Sequence, residues 1–357
     1  MENKNTIQSI FDTIQNKIGR ELRVNISGIE TSVNDDRNSQ SLTIKVLSII
    51  GGILSSLAFC LFLTLGSIDK SQTAMYILSG IFFMTSIWMN KKYDKVILDT
   101  ISVCLYLIGY VAFGIGFYLG KGDPLYVQLL YMLFATITLL ISKSYILTFI
   151  SILMINGACI AIFFEIENID LVHALVVVIA FICIYFTFNE AKFMKIKAIG
   201  GKRYLAIRTG LTLSLLTCLY FVGRSTYMDR NWIFNWVSSG FLILMVMWLI
   251  NCLLNRFHCE DIGKKILVFI VVLVCLGFTA MTPAISGSLL LLLLSFKVNY
   301  KTGIALGIIG FIYFIGMFYY DLNISLLHKS IAMFVSGAFF ILLYLMIFKK
   351  SNSHEKA

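Results

Sequence analysis

Long apolar runs alternate with short charged loops along the chain from Thr43 onward. A bilayer core about 30 Å thick needs roughly 17–25 apolar residues in a helix that crosses it. Runs of about this length lie near 44–66, 73–89, 96–119, 125–142, 145–164, 171–188, 204–223, 233–254, 265–282, 284–299, 303–319 and 329–348. The pattern predicts an all-α, polytopic transmembrane helix bundle of about 12 spans.

The first 43 residues are polar and mixed in charge, with apolar residues at helical spacing. These recur three and four positions apart, at Ile7, Ile10, Phe11, Ile14, Ile18 and Leu22. The spacing predicts an amphipathic helix over about 5–22, which lies on the membrane, docks on a partner or packs on its own loops. We therefore predict a cytoplasmic segment at 1–43, a transmembrane domain at 44–348 and a cytoplasmic tail at 349–357.

The stretch 266–296 is too long for one straight span and short for two. Pro283 lies near its middle, and proline favours a turn or the first turn of a helix because it lacks an N–H. We predict a reversal at 281–284, exposed at the outer face, between two short helices. A single kinked span is the alternative.

The distribution of basic residues favours two short helices here. With 12 spans and both termini in the cytoplasm, 24 of the 29 Lys and Arg residues lie inside and 5 outside, whereas 11 spans give 20 against 9. Cytoplasmic loops carry an excess of Lys and Arg, so the first arrangement is preferred. The expected location is the bacterial cytoplasmic (inner) membrane.

Composition excludes a soluble globular domain. Hydrophobic residues make up 59% of the chain and charged residues 13%, and the mean hydropathy is +0.86. A soluble protein of this size has too little polar surface to cover so much apolar area. The formal net charge of +10 is explained by basic cytoplasmic loops, so the expected surroundings are the lipid bilayer and not nucleic acid.

Ionisable residues within spans are the default pointer to function in a membrane protein, and few occur here. Asp99 lies about one turn inside its span and is a candidate cation or proton site, or a partner of Lys95. His173, near Asp170, is a candidate proton relay, or a histidine that is simply hydrogen-bonded. Asn156 and Asn251 are expected to bond neighbouring helices. Glycines such as Gly307 are expected to let helices approach closely.

Sequence patterns of catalysis and metal binding are missing. The chain contains no H-E-x-x-H run, no Walker A run and no G-x-G-x-x-G after a strand. Cys252, His258 and Cys259 lie together, but their spacing fits no standard zinc pattern. We therefore assign no catalytic, cofactor-binding or metal-ligating residue, and the balance is against an enzyme.

The segment Tyr319–Ser330, YYDLNISLLHKS, is distinctive. Lys329 is placed at the start of a helix, where the helix dipole disfavours a cation by roughly 0.3–1 kcal/mol. We expect Asp321 to pair with Lys329 across the turn, shielded by Tyr319 or Tyr320. The alternative is a lysine that extends to the lipid headgroups.

The same segment matches the pattern Y-Y-x-L-x-x-[ST]-L-L-x-K-S, which ends at Ser330. With 45–52 (KVLSIIGG) and Thr282–Pro283, it resembles a bacterial membrane family known as domain of unknown function 4401, over about 44–348. The resemblance implies no activity and no active site. It implies pairing with a small membrane-anchored protein that carries a GDYXXLXY-type motif.

Two functions follow as expectations. The first is a non-enzymatic component of an envelope complex that binds a partner, which the resemblance favours. The second is a transporter of a lipid-like or apolar solute, which the number of spans and the interrupted stretch around Pro283 favour.

Overall fold

The structure is a computed structural model that describes residues 71–92, 96–142, 144–195, 201–224, 232–256, 262–277 and 282–321, and isolated positions between 47 and 62 and between 325 and 341. The secondary structure of these residues is helical, without a β-strand. The chain divides into two compact units, Met1–Ala58 and Phe59–Ala357. The described positions of the first unit are helical, and the helices given below belong to the second.

The helices that precede residue 200 form the first group. They are α1 (Gln72–Lys92), α2 (Val96–Leu119), α3 (Pro124–Ile141), α4 (Tyr145–Glu165), α5 (Leu171–Phe188) and the short α6 (Glu190–Lys195).

The helices that follow residue 200 form the second group. They are α7 (Gly201–Gly223), α8 (Trp232–Arg256), α9 (Ile262–Gly277), α10 (Pro283–Lys297) and α11 (Lys301–Asp321).

Seven of these helices are long and apolar enough to cross a membrane, namely α2, α3, α4, α5, α7, α8 and α11. Each coincides with a predicted span, so the expectation of an all-α protein with several helices that are able to cross a membrane is confirmed for the described residues. Helices α1, α9 and α10 coincide with three further predicted spans but are not among the seven. The spans at 44–66 and 329–348 lie largely outside the described residues, as does the amphipathic helix at 5–22, and the number 12 stays a prediction.

Helix starts follow local sequence signals. Asp123 Oδ1 accepts a hydrogen bond from the backbone N–H of Leu125 at the start of α3, where Pro124 occupies the first turn. Ser144 Oγ accepts from the N–H groups of Ile146 and Leu147 at the start of α4. Such caps satisfy backbone donors that have no partner within the helix.

Pro283 is the first residue of α10, and Thr282 before it is not helical, with φ −128° and ψ 85°. Helix α9 ends at Gly277, so two helices are present and a single helix through Pro283 is not. The expected exposure of this turn is wrong for Pro283 and Ala284, which are both buried. Close packing explains this, because Ala284 Cβ would lie 3.3 Å from a Cβ added at Gly223 of α7. Met281 lies outside the described residues, so the reversal itself stays a prediction.

Helices α1 to α4 are joined by a cluster of aromatic side chains. Tyr106 is fully buried, and its hydroxyl lies 3.0 Å from that of Tyr110 and 3.2 Å from Ser151 Oγ of α4. Tyr110 and Tyr131 of α3 each donate to the other's backbone carbonyl, at 3.3 and 2.7 Å. The hydroxyls thus find partners without water, as buried tyrosines normally do.

The second part of the core surrounds α7, which packs against α4, α5, α10 and α11. Asn156 Nδ2 of α4 donates to the Ser214 carbonyl of α7 at 3.3 Å, and Cys218 Sγ donates to Asn156 Oδ1 at 3.3 Å. The expectation that Asn156 bonds a neighbouring helix is confirmed. A Cβ at Gly307 would lie 2.9 Å from Leu292 Cα, so the expected close approach of α10 and α11 is confirmed at this glycine.

Candidate functional site

Asp99 lies in the first turn of α2 and accepts hydrogen bonds from two side chains. Asn90 Nδ2 donates to one carboxylate oxygen at 2.9 Å, and Ser144 Oγ donates to the other at 2.8 Å. Ser142 Oγ donates to Asn90 Oδ1 at 3.0 Å, which orients the amide. The carboxylate therefore links α1, α2 and the α3–α4 connection. Lys95 lies outside the described residues, and an ion-binding role for Asp99 stays a prediction.

His173 is buried in α5, with its Nδ1 2.9 Å from Ser238 Oγ of α8. Ser238 Oγ also lies within hydrogen-bond reach of the backbone carbonyls of Phe234 and Asn235, at 3.0 and 3.2 Å. A hydroxyl carries one hydrogen, so the direction of the bond between His173 and Ser238 depends on the histidine tautomer. The bond joins two helices, and the role as a proton relay stays a prediction.

The remaining predicted residues lie at the end of α11 and beyond it. The rings of Tyr319 and Tyr320 contact each other edge to face, with centroids 5.5 Å apart. Ser330 is helical and exposed. The side chain of Asp321 and the whole of Lys329 lie outside the described residues, so their pairing stays a prediction.

A different buried group, Arg208, is the strongest candidate site of the structure. Arg208 lies on α7 with its side chain 10% exposed, and its Nη1 is 3.6 Å from Glu190 Oε2 at the start of α6. The guanidinium lies 3.9 Å from the centre of the Tyr300 ring and 5.3 Å from that of Tyr204. Burial of a charge costs free energy, and the carboxylate and the two ring faces offset part of this cost.

The Arg208 side chain lines a small cavity between α5, α7 and α10. Its other polar side chains are Thr187, Thr212, Ser295 and Tyr300, and the rest of its wall is apolar. The cavity volume is about 10 Å³, which is room for about one water-sized group. We call this space the Arg208 cavity.

The hydroxyl groups around the Arg208 cavity have defined roles. Thr187 donates to the Cys183 carbonyl at 2.6 Å, and Thr212 donates to the Thr209 carbonyl at 2.8 Å, so both oxygens keep lone pairs for a further hydrogen bond. Arg208 Nε is a buried donor with no hydrogen-bond partner among the described residues. Arg208 thus lines the cavity together with hydroxyl oxygens that could accept a hydrogen bond from a small polar ligand.

Tyr300, between α10 and α11, holds the guanidinium in place. Its hydroxyl is hydrogen-bonded to Thr209 Oγ1 at 2.9 Å, and Thr209 Oγ1 also lies 2.7 Å from the Leu205 carbonyl, so either hydroxyl can be the donor. Burial raises the pKa of the Tyr300 hydroxyl above its ordinary value, so the ring remains neutral beside the guanidinium.

The sequence does point to Arg208, because it lies inside a predicted span, but the count of basic residues assigns it to the preceding loop. Arg208 is the fifth residue of the predicted span 204–223, and it is counted with the basic residues of the preceding cytoplasmic loop. An ionisable residue inside a span is a functional pointer, but its partners Glu190 and Tyr300 are distant in sequence. Their approach depends on how α6, α7 and α10 pack.

Comparison with known proteins gives a match to a protein family. The family model described as Domain of unknown function (DUF4401) matches residues 41–350. No curated protein and no solved structure matches the chain. The matched region covers most of the sequence, and the seven apolar helices support a multi-pass membrane protein. The chain therefore belongs to the family Domain of unknown function (DUF4401).

Proposed function

We propose that this protein is a non-enzymatic component of an envelope complex in a bacterial inner membrane, and that it binds one transmembrane helix of a small membrane-anchored partner. The partner suggested by the family resemblance carries a GDYXXLXY-type motif. The observation that carries the proposal is the exposed face of α3 in the described bundle.

Helix α3 has the smallest buried share of the seven helices that are long and apolar enough to cross a membrane. In α3, 11% of the span is buried, compared with 17% in α11 and 39% and 50% in α4 and α5. Large side chains three or four positions apart line this face, namely Tyr126, Leu129, Leu133, Ile137 and Leu140. We call these five residues the α3 face.

The spacing of the α3 face is that of a helix–helix contact. Side chains at intervals of three and four form one stripe along a helix, which a second helix covers with interlocking side chains. Helices α2 and α4, which flank α3 in sequence, are both described. The α3 face is therefore exposed even with these two neighbouring helices in place. One apolar helix of a partner could therefore cover the α3 face.

Photo-crosslinking in intact cells tests this proposal. A photoreactive phenylalanine analogue at Leu133, which is 52% exposed, should yield a discrete crosslinked product with one small membrane protein. The control is the same analogue at Phe181 of α5. Helix α5 is well packed, but the Phe181 side chain is 61% exposed and should face lipid. Mass spectrometry of the product identifies the partner.

Two results would contradict the proposal. One is a Leu133 variant that gives no protein crosslink while the protein is present at the normal level. The other is equal crosslinking from Leu133 and Phe181 to many unrelated proteins, because this indicates random contact in the membrane.

We propose 12 spans with both termini in the cytoplasm for the topology. The division of basic residues supports this arrangement. Single cysteines at Asn168 and Lys195, in a cysteine-free background, should react with a membrane-impermeant thiol reagent from opposite sides, with Asn168 outside. Labelling of Lys195 from outside in intact cells would refute the orientation.

Transport of a lipid-like or apolar solute is the second candidate function, favoured by the interruption before Pro283. Transporters often bind solutes where helices are discontinuous, and α9 and α10 are separated by a non-helical Thr282. Uptake of labelled lipid into proteoliposomes that contain the purified protein tests this role.

A further inference from the structure

We infer that the Arg208 cavity binds an oxygen atom of a phosphate-class oxyanion, with Arg208 as the cationic donor. The ligand is either the phosphate of an anionic lipid headgroup or a free phosphate. This site is separate from the α3 face, so the inference does not depend on the proposed partner.

The donor geometry of Arg208 supports an oxyanion ligand. A guanidinium has five N–H donors in a fork that fits two oxygens of a carboxylate or phosphate. Here the Glu190 carboxylate is 3.6 Å from Nη1, and Nε has no hydrogen-bond partner among the described residues. The described residues therefore satisfy only part of the N–H donors of the buried guanidinium.

The size of the Arg208 cavity fits one ligand oxygen. Its volume of about 10 Å³ admits one water-sized group beside Arg208. Glu190 does not line the cavity, so the rest of a phosphate has to displace its carboxylate from Nη1 of Arg208. The oxygens of Thr187 and Thr212 could accept a hydrogen bond from a protonated phosphate, and the Ser295 hydroxyl can rotate to donate.

The surrounding charge favours an anion. Residues 190–195, 201–208 and 297–301 together contain seven Lys or Arg residues, Arg208 included, and one acidic residue, Glu190. These segments meet at this end of the bundle, where Arg208 contacts Tyr300 and Lys297 Nζ lies 3.5 Å from the centre of the Phe188 ring. A cluster of one sign raises the local concentration of oppositely charged ligands.

Glu190 acts in this proposal as an internal competitor of the ligand. Its side chain is 31% exposed, so it can leave Arg208 for water at lower cost than a buried carboxylate. Removal of its charge should therefore strengthen binding of a phosphate. If the ion pair between Glu190 and Arg208 is purely structural, loss of the Glu190 charge should lower the stability of the protein and should not strengthen phosphate binding.

The test uses the full-length protein in phosphatidylcholine nanodiscs, with two arms that distinguish the ligand sources. One arm adds phosphatidylglycerol to the bilayer, and the other adds inorganic phosphate to the buffer. Native mass spectrometry measures retained lipid or phosphate, and thermal unfolding measures the stabilisation. The variants are Arg208→Lys, Glu190→Gln and the control Arg224→Lys, which alters an exposed arginine 5.5 Å from the centre of the Tyr220 ring.

We expect binding in at least one arm. Arg208→Lys should weaken it by about tenfold, because lysine lacks the planar fork. Glu190→Gln should strengthen it by about threefold through loss of a competing charge, and Arg224→Lys should leave it unchanged. Failure of both ligands to bind, as for a cavity that holds water alone, would overturn the inference. So would equal binding by wild type and Arg208→Lys, or weaker binding by Glu190→Gln.

Discussion

The guanidinium of Arg208 lies over the face of the Tyr300 ring, 3.9 Å from its centre. Arg208 belongs to α7 and Tyr300 to the connection between α10 and α11, so the contact joins elements that are distant in sequence. Because the arginine is buried, the ring face replaces part of the hydration that the cation loses.

Two substitutions of Tyr300 distinguish the contribution of its ring to stability from that of its hydroxyl. Tyr300→Phe keeps the ring and loses the bond to Thr209, which should cost about 0.5–1.5 kcal/mol of unfolding free energy. Tyr300→Leu also loses the contact with the cation and should cost about 0.5–2 kcal/mol more. Unfolding of the purified protein by detergent titration measures both. Equal losses in the two variants would show that the ring face adds nothing.

The alkaline pH dependence of stability should include a contribution from Tyr300. Its pKa is raised in the folded protein, so the neutral form is favoured there. This contribution is fully present below the ordinary tyrosine pKa of 10.0 and is lost as the pH rises above it. Tyr300→Phe should therefore lose less stability between about pH 9 and 11 than wild type. Tyr118→Phe, which changes an exposed ring, is the control and should follow wild type.

Ser144 should be more important for stability than an ordinary surface serine. It caps α4 and also donates to Asp99, so Ser144→Ala removes both a cap and a bond to a carboxylate. We expect a loss of about 2–3 kcal/mol. Ser144→Thr keeps the hydroxyl and should lose much less. A thermal shift that is the same for Ala and Thr would contradict the double role.

The contact between α10 and α11 should not tolerate a side chain at Gly307. A Cβ there would meet the backbone of Leu292 at 2.9 Å, so Gly307→Ala must move one helix, at a cost of about 1–3 kcal/mol. Gly316, on the same helix, has no neighbouring atom within 4 Å of an added Cβ. Gly316→Ala should be neutral or stabilising by up to about 1 kcal/mol. Melting temperatures of the two variants give the comparison, and similar losses would argue against the close approach.

The sequence by itself determined the class of the protein and most of its described spans. Apolar runs of sufficient length must become helices in a bilayer, because each backbone polar group has to be satisfied within its own segment. The start of a helix at Pro283 could be predicted for a similarly local reason, since proline has no N–H to give to a preceding turn.

Only the tertiary structure decided how the polar side chains are used. Asp99 could be selected from the sequence, but its donors Asn90 and Ser144 come from other elements. Arg208 was concealed among basic loop residues, because its burial arises from the packing of α5, α7 and α10 and from the position of Tyr300. Periodicity is a property of one segment, whereas a site is formed by contacts between segments, and a single sequence does not encode those contacts in any local pattern.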